Sequence, residues 1–350
     1  MQDALELKRT TWRSTLEAGA TTRLRVFAAT LVLCVLASAA FASWIPLPVS
    51  IITVFLFAGP HNWFELRYFL MRLPVRFGRS RNFFITAFAG LAVLTCTYFS
   101  LPLIYRLSPN SNEWWLTVIA VWNTLFLGWL AVLVWLRSKQ KPRSNWTWFL
   151  PLTFALCAFN WFSPDFFSLT LVYIHPLVAL WFLDRHLKRT RPTWVRTYRR
   201  CLALLPVVLG LMVWQLQQTT SLPESNGLFW RITQHSGAEL LPNVSSHLLV
   251  SVHLFLEMLH YGVWLLALPL LGSVVTRSSS GKVWDWKSVP LARHPKGFPK
   301  LVAFALGFGV IMVALLWVGF SIDYSTTRDI YFTLAIAHVL AEAPFLLKMI

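Results

Sequence analysis

Residues 301–320 read LVAFALGFGVIMVALLWVGF, twenty successive residues without a charged side chain. A helix of that length spans about 30 Å, the thickness of a bilayer's hydrocarbon core. Backbone groups facing lipid must be hydrogen-bonded within their own segment, so such a run indicates a membrane-spanning helix. The same criterion predicts about ten spans in an all-α, polytopic membrane bundle. Their approximate limits are 25–45, 48–71, 83–105, 113–136, 146–163, 165–184, 201–219, 247–275, 299–320 and 328–348.

The composition supports this fold class. Hydrophobic residues make up 56% of the 350 residues and charged residues only 13%, about half of the ~25% usual in soluble domains. The net charge of +17 would suit a nucleic-acid partner, but the basic residues lie in short clusters between apolar runs. We therefore expect membrane lipids as partners and no nucleic acid.

The basic clusters also predict the topology. With the amino terminus inside, all but four of the 31 Lys and Arg residues fall in the tail, in inner loops or at inner helix ends. The exceptions are Arg67, Arg106, Arg231 and Arg328. This bias predicts both termini in the cytoplasm and favours a bacterial inner (plasma) membrane. Residues 1–24 form the expected basic cytoplasmic tail. Residues 25–350 form a single membrane domain with an outer loop at about 220–246 and an inner loop at about 276–298.

Four histidines are predicted at matched depth, each roughly 10–13 residues from the outer end of its span, halfway through a helix that crosses the core. They are His61, His175, His260 and His338, on spans two, six, eight and ten. A buried imidazole in a bilayer is costly unless it is paired, hydrated or bound to a metal. A buried metal or cofactor site is the best explanation for four such histidines at one depth. Shared protonation in a transport path and structural packing remain alternatives.

Carboxylates accompany these histidines. The motifs are GPHNWFE (59–65), HLFLEMLHYGVW (253–264) and AHVLAE (337–342), which carry Glu65, Glu257 and Glu342. Neutral imidazole suits iron, zinc and copper, and a nearby carboxylate favours iron or zinc. The three acids are candidate ligands, orienting partners of the ligands, or structural acids paired between helices.

The remaining polar residues complete this interpretation. His253 shares a helix stripe with Glu257 and His260 but lies two turns nearer the outside. His186 and His294 fall in basic inner loops, where we expect solvated side chains. His235 and His247 belong to or border the outer segment, and Asn123 lies at the histidine depth in span four. An inner ring of even-numbered spans would bring these polar faces together.

The order of the motifs resembles the Brp/Blh family of membrane β-carotene dioxygenases. The matching segments are PHNWFE (60–65), IHPLVALWFLD (174–184), the stretch with His253, Glu257 and His260, and HVLAE (338–342). The resemblance implies oxygen-dependent cleavage of a carotenoid double bond at an iron centre. It implies His61, His175, His253 and either Glu257 or His260 as metal ligands, with His338 and Glu342 as the late motif.

The leading hypothesis is a non-haem iron oxygenase acting on a lipophilic, isoprenoid or carotenoid-like substrate. Its expected metal-binding residues are His61, His175, His253, His260 and His338, and its expected catalytic or supporting acids are Glu65, Glu257 and Glu342. Zinc and haem are alternative cofactors. Alternative functions are a transporter or channel with a His/Glu site, a haem- or pigment-binding subunit of a membrane complex, and a purely structural subunit. The chain has no phosphate-binding loop, so NTP hydrolysis is not expected.

Overall fold

The computed structural model describes the backbone of residues 2–107, 112–141, 146–275, 289–295 and 297–349. It describes side chains over residues 21–106, 113–141, 146–271, 289–295 and 297–349. Within these ranges the regular structure is helical, and no strand occurs. The predicted inner loop at about 276–298 lies largely outside the described residues. The predicted tail continues without a break into the first helix.

Fourteen α-helices occur in the described part of the chain. They are α1 (Gln2–Trp44), α2 (Pro46–Arg72), α3 (Arg81–Leu107), α4 (Asn112–Gln140), α5 (Phe149–Phe162), α6 (Pro164–Thr190), α7 (Val195–Leu202), α8 (Leu204–Leu216), α9 (Gly227–His235), α10 (Ser246–Gly262), α11 (Leu268–Val275), α12 (Pro290–Arg293), α13 (Pro299–Ile322) and α14 (Tyr324–Met349).

Nine helical segments of the described residues are long and apolar enough to cross a membrane, as expected of a multi-pass integral membrane protein. Two are composite, since Pro192–Leu216 joins α7 to α8, and Ser246–Leu271 joins α10 to α11 through a π-helical turn. Each of the ten predicted spans coincides with one of these segments or with α5. At 14 residues, α5 is only about 21 Å long and falls short of a full crossing.

The helix α10 lies at the centre of the bundle. Its span is the most buried of the nine, and it packs against α1, α2 and α6. The helices α2, α6, α10 and α14 bring their polar faces together, as the even-span pattern predicts. By contrast, α4 packs mainly against α3 and α5, and Asn123 on α4 donates a hydrogen bond to Asn160 on α5 at 2.8 Å. Asn123 therefore belongs to a separate polar contact.

At one end of the bundle, here called the basic end, arginines bind the carboxyl terminus of α14. Arg137 donates to the carbonyls of Leu347 and Lys348, and Arg189 donates to that of Met349. Cations at a helix carboxyl terminus satisfy its free carbonyls and its dipole. The expectation that His186 is solvated is wrong, because it is buried with its Nδ1 atom 3.0 Å from a guanidinium nitrogen of Arg72.

The opposite end is covered by residues 217–245, which include α9. The Asn226 side chain caps α9 by accepting from the Phe229 amide at 2.8 Å. An ion pair between Arg231 and Asp329 ties α9 to α14. Between the two ends the outer surface is rich in exposed aliphatic and aromatic side chains, for example Phe304 on α13 at 68% exposure. Soluble proteins rarely expose an apolar surface on this scale.

Candidate metal centre

Four imidazole rings from four helices meet near the middle of the bundle. The ring centroids of His61 lie 5.4 Å from His260 and 5.2 Å from His338. Those of His175 lie 4.8 Å from His260 and 5.2 Å from His338, and His260 and His338 are 6.3 Å apart. The four rings therefore form a closed ring of neighbours, here called the histidine cluster. Each lies within about two residues of the midpoint of its helix.

These separations are of the size found around a metal ion. Among the described residues, however, the converging ligand atoms form two groups that share His260, and neither group contains all four histidines. With metal–nitrogen bonds of about 2.1 Å, an imidazole centroid lies roughly 3.2 Å from the ion, so opposed rings are about 6.4 Å apart and tetrahedral neighbours about 5.2 Å. The observed centroid distances run from 4.8 to 6.3 Å. The donor set is also suitable, because neutral imidazole is a common ligand of iron and zinc.

Prolines shape the two helices that carry His61 and His175. Pro60 directly precedes His61 in α2, and Pro176 directly follows His175 in α6. Proline removes a backbone donor and bends a helix, so carbonyls of the preceding turn become free. The Nδ1 atom of His61 lies 3.0 Å from the carbonyl oxygen of Phe57. Because a carbonyl oxygen only accepts, this contact places the proton of His61 on Nδ1 and leaves its Nε2 atom as the unprotonated nitrogen.

His175 is oriented in the same way by a carboxylate. Its Nδ1 atom lies 3.2 Å from Oε2 of Glu342, which is 2% exposed. Carboxylates that accept from the second nitrogen of a histidine fix the ring and raise its basicity as a ligand. Glu342 therefore occupies the position of an orienting partner on the neighbouring helix α14.

The polar atoms of Glu65 and His260 are buried. Both carboxylate oxygens of Glu65 and both ring nitrogens of His260 are enclosed, and no described residue forms a well-aligned hydrogen bond with them. Buried polar groups are nearly always paired, so this cluster of unsatisfied atoms points to a missing partner. One ligand atom from each of His61, Glu65, His260 and His338 lies within 4.8 Å of the others. A second such group contains His175, His260 and Glu342.

A π-helical turn at Val263–Ala267 follows His260 almost directly. Such turns insert one extra residue per turn and are frequent at functional sites. On its inner side it carries Trp264, which packs against Tyr68, Phe69 and Phe182 with centroid distances of 5.4 to 5.8 Å. Phe69 in turn stacks on Phe345 at 4.2 Å. These five side chains form an aromatic floor between the histidine cluster and the basic end.

The structure does not bring His253 and Glu257 into the histidine cluster. The groups of converging ligand atoms among the described residues contain neither of them. His253 instead lies 5.1 Å from His235 and 5.7 Å from Tyr173, measured between ring centroids. Glu257 accepts a hydrogen bond from the Tyr261 hydroxyl at 2.7 Å. The expected ligand role of His253 is therefore not supported by its position.

His253 and Glu257 belong to a polar string that leads toward the opposite end. It begins at Tyr261, whose ring lies 4.5 Å from that of His61. Tyr261 also lies close to Tyr331 on α14. Beyond Glu257 and His253, the string reaches His235 on α9 and the buried Arg328 on α14.

Two members of this string were not expected from the sequence. His235 is partly buried, and desolvation, followed by the charges of His253 and Arg328, lowers its pKa well below 6.5. Its ring is thus neutral at pH 7. Tyr261 immediately follows His260, and the sequence gives no sign that it faces His61, since adjacent helical residues point about 100° apart.

Comparisons with known proteins add no relative to this picture. No protein-family model matches the chain, and no curated protein or solved structure matches it at a significant level. The resemblance to the Brp/Blh family therefore stays a prediction that rests on the order of the motifs.

Proposed function

We propose that this protein is a ten-span integral membrane protein with a buried non-haem iron centre in the histidine cluster of His61, His175, His260 and His338. The group of His61, Glu65, His260 and His338 would hold the metal ion. We propose further that it oxidises a lipophilic substrate of the isoprenoid or carotenoid class. Both termini would lie in the cytoplasm of a bacterium, with the basic end of the bundle inside. The α5 helix would complete the tenth crossing, with the bilayer thinned locally around its short length.

The closed ring of four imidazoles carries this proposal. A metal ion would compensate the burial of four rings at 4.8 to 6.3 Å, because imidazole nitrogens buried in a bilayer are costly when they are left unsatisfied. The unpaired oxygens of Glu65 favour a hard cation and hence iron or zinc over copper(I). Four protein ligands also leave coordination positions open for a small molecule, as oxygen-activating iron sites do.

The residues around the histidine cluster would have different roles. Glu342 orients His175, and the Phe57 carbonyl orients His61. Glu65 is close enough to His61, His260 and His338 to serve as a ligand with them or to hold a proton beside them. The aromatic floor would keep water at the basic end from reaching the histidine cluster. Iron, when bound, would supply the oxygen chemistry that no protein side chain provides.

The arrangement favours a metal ion over haem. A bis-histidine haem needs two opposed rings with a flat space for the macrocycle between them. Here His61 and His175 stand beside the opposed pair His260 and His338 at 4.8 to 5.4 Å, where a macrocycle would have to lie. A haem-binding subunit is therefore less consistent with the geometry.

Metal analysis of the purified protein tests the proposal. We expect close to one iron per chain when the protein is produced with sufficient iron, and loss of that iron in a His61→Ala/His260→Ala variant. Oxygen consumption in the presence of a carotenoid then tests the reaction. A preparation that binds neither iron nor zinc at a stoichiometric level would refute the metal centre.

The polar string supports a second candidate function, a proton- or solute-conducting protein. Intramembrane ionisable residues often mark transport paths, and Glu257, His253, His235 and Arg328 extend from the cluster toward the opposite end. Transport in proteoliposomes that persists after metal removal and is lost in Glu257→Gln would favour this function over the oxygenase.

A further inference from the structure

A cavity of about 380 Å³ lies between α1, the α7–α8 segment and α10–α11. Its volume is within the range of small-molecule sites. Its walls are mainly aliphatic, formed for example by Val26, Leu205, Val263 and Leu266. It lies on the face of α10 that points away from the histidine cluster, because Leu259 and Gly262 line it while His260 faces the cluster. This apolar groove is therefore separate from the candidate metal centre.

The groove has a cationic end. Arg23 and Arg191 line it, and among the described residues of its lining none is acidic. The Arg191 guanidinium stacks on the Trp194 ring at 4.5 Å, and its buried Nε atom has no hydrogen-bond partner among the described residues. Asp184, a nearby carboxylate on α6, is already bound by Arg199 at 2.8 Å. Within the described part of the chain, neither Arg23 nor Arg191 forms an ion pair with a carboxylate.

We propose that this groove binds an anionic phospholipid, whose phosphate contacts Arg23 and Arg191 and whose acyl chain lies along the aliphatic walls. An amphiphile with one anionic end and one apolar chain matches both parts of the groove. Basic residues at the membrane surface attract anionic lipids with about 1 kcal/mol each. The tryptophan beside Arg191 is typical of the interfacial level at which head groups lie. The proposal requires the helices to lie in a membrane but does not depend on the metal centre.

The four free cysteines provide an internal probe of the groove. Cys34 and Cys201 line it, whereas Cys96 on α3 and Cys157 on α5 do not. The protein is reconstituted in nanodiscs of phosphatidylcholine alone or with phosphatidylglycerol, and each cysteine's reaction with a membrane-permeant maleimide is followed by mass spectrometry. We expect phosphatidylglycerol to slow the labelling of Cys34 and Cys201 several-fold and to leave that of Cys96 and Cys157 unchanged.

Charge variants identify the head-group contact. In Arg23→Gln/Arg191→Gln the concentration of phosphatidylglycerol needed for protection should rise about thirtyfold, the sum of two contacts of about 1 kcal/mol. The matched control Arg196→Gln/Arg200→Gln removes two exposed charges outside the groove and should leave protection unchanged. Unaltered protection in the first variant, or equal protection by phosphatidylcholine, would overturn the proposal. Protection by inorganic phosphate or oleate alone would also overturn it.

Discussion

The Nδ1 atom of His175 on α6 lies 3.2 Å from Oε2 of Glu342 on α14, and both side chains belong to the centre of the bundle. The two residues are separated by more than 160 positions in the sequence, so this contact depends on the packing of the two helices. It holds the His175 ring with its Nε2 atom free for a metal. Through this contact Glu342 orients the His175 ring, and the contact itself does not make Glu342 a metal ligand.

Replacing Glu342 by Gln should weaken metal binding 10- to 100-fold, because the loss of such an orienting carboxylate has that effect on other metal–histidine sites. The affinity of the apo-protein for zinc, measured by competition with a chromophoric chelator, checks this expectation. Glu113→Gln, at an exposed position on α4, is the matched control and should bind zinc normally. Equal affinities in the two variants would count against the orienting role.

His260→Ala and His253→Gln should behave differently, although both residues lie on α10. His260 is part of the histidine cluster, and its removal should abolish stoichiometric metal binding. His253 packs against His235 and Tyr173, and its replacement should leave the metal content unchanged. Metal analysis of the two variants decides the matter, and loss of metal in His253→Gln would restore the ligand set implied by the family resemblance.

Tyr261→Phe should lower the stability of the protein by about 1–3 kcal/mol, because it leaves a buried carboxylate oxygen of Glu257 without its donor. Unfolding in a mixed-micelle titration with a denaturing detergent measures this change. The double variant Tyr261→Phe/Glu257→Gln removes the charge as well as the donor, so its cost should be smaller than the sum of the two single changes. Strict additivity would show that the contact contributes little.

Two glycines on neighbouring helices give a paired prediction about packing. A Cβ atom at Gly90 on α3 would lie 2.0 Å from the Trp129 indole nitrogen, which donates to the Thr86 carbonyl. Gly90→Ala should therefore cost about 1–3 kcal/mol through overpacking. A Cβ atom at Gly128 on α4 would meet no atom within 4 Å, and Gly128→Ala should stabilise the helix by about 0.4–1 kcal/mol. The same detergent titration compares the two variants, which should shift in opposite directions.

The sequence predicts where the site lies in the bundle better than it predicts which residues belong to it. Hydropathy and length locate the helices, and the matched depth of His61, His175, His260 and His338 follows from counting residues along each span. The rise of 1.5 Å per residue also separates His253 from His260 by about 10 Å along the axis of α10. Helix geometry therefore places His253 nearer the opposite end than His260, in agreement with its contacts to His235 and Tyr173.

Other features depend on packing between helices and have no local signal. The burial of His186 requires Tyr68 and Arg72 of α2 to lie against α6. The burial of His235 requires α9 to fold over the end of α10. The aromatic contacts around Trp264 likewise depend on how α10 is rotated. Hydrophobic periodicity fixes which residues are apolar, but it does not specify which helix covers them.

The aromatic floor makes the bundle electrically asymmetric. Between the histidine cluster and the basic end lie Trp264 and the stacked rings of Phe69 and Phe345, whereas polar groups line the way to the opposite end. In a membrane, the applied voltage would fall chiefly across the aromatic half, because it has fewer polar groups that can reorient and hence a lower dielectric constant. A cation that reached the cluster from the opposite end would therefore cross little of the field, which is worth about 2.3 kcal/mol per charge at 100 mV across the whole membrane.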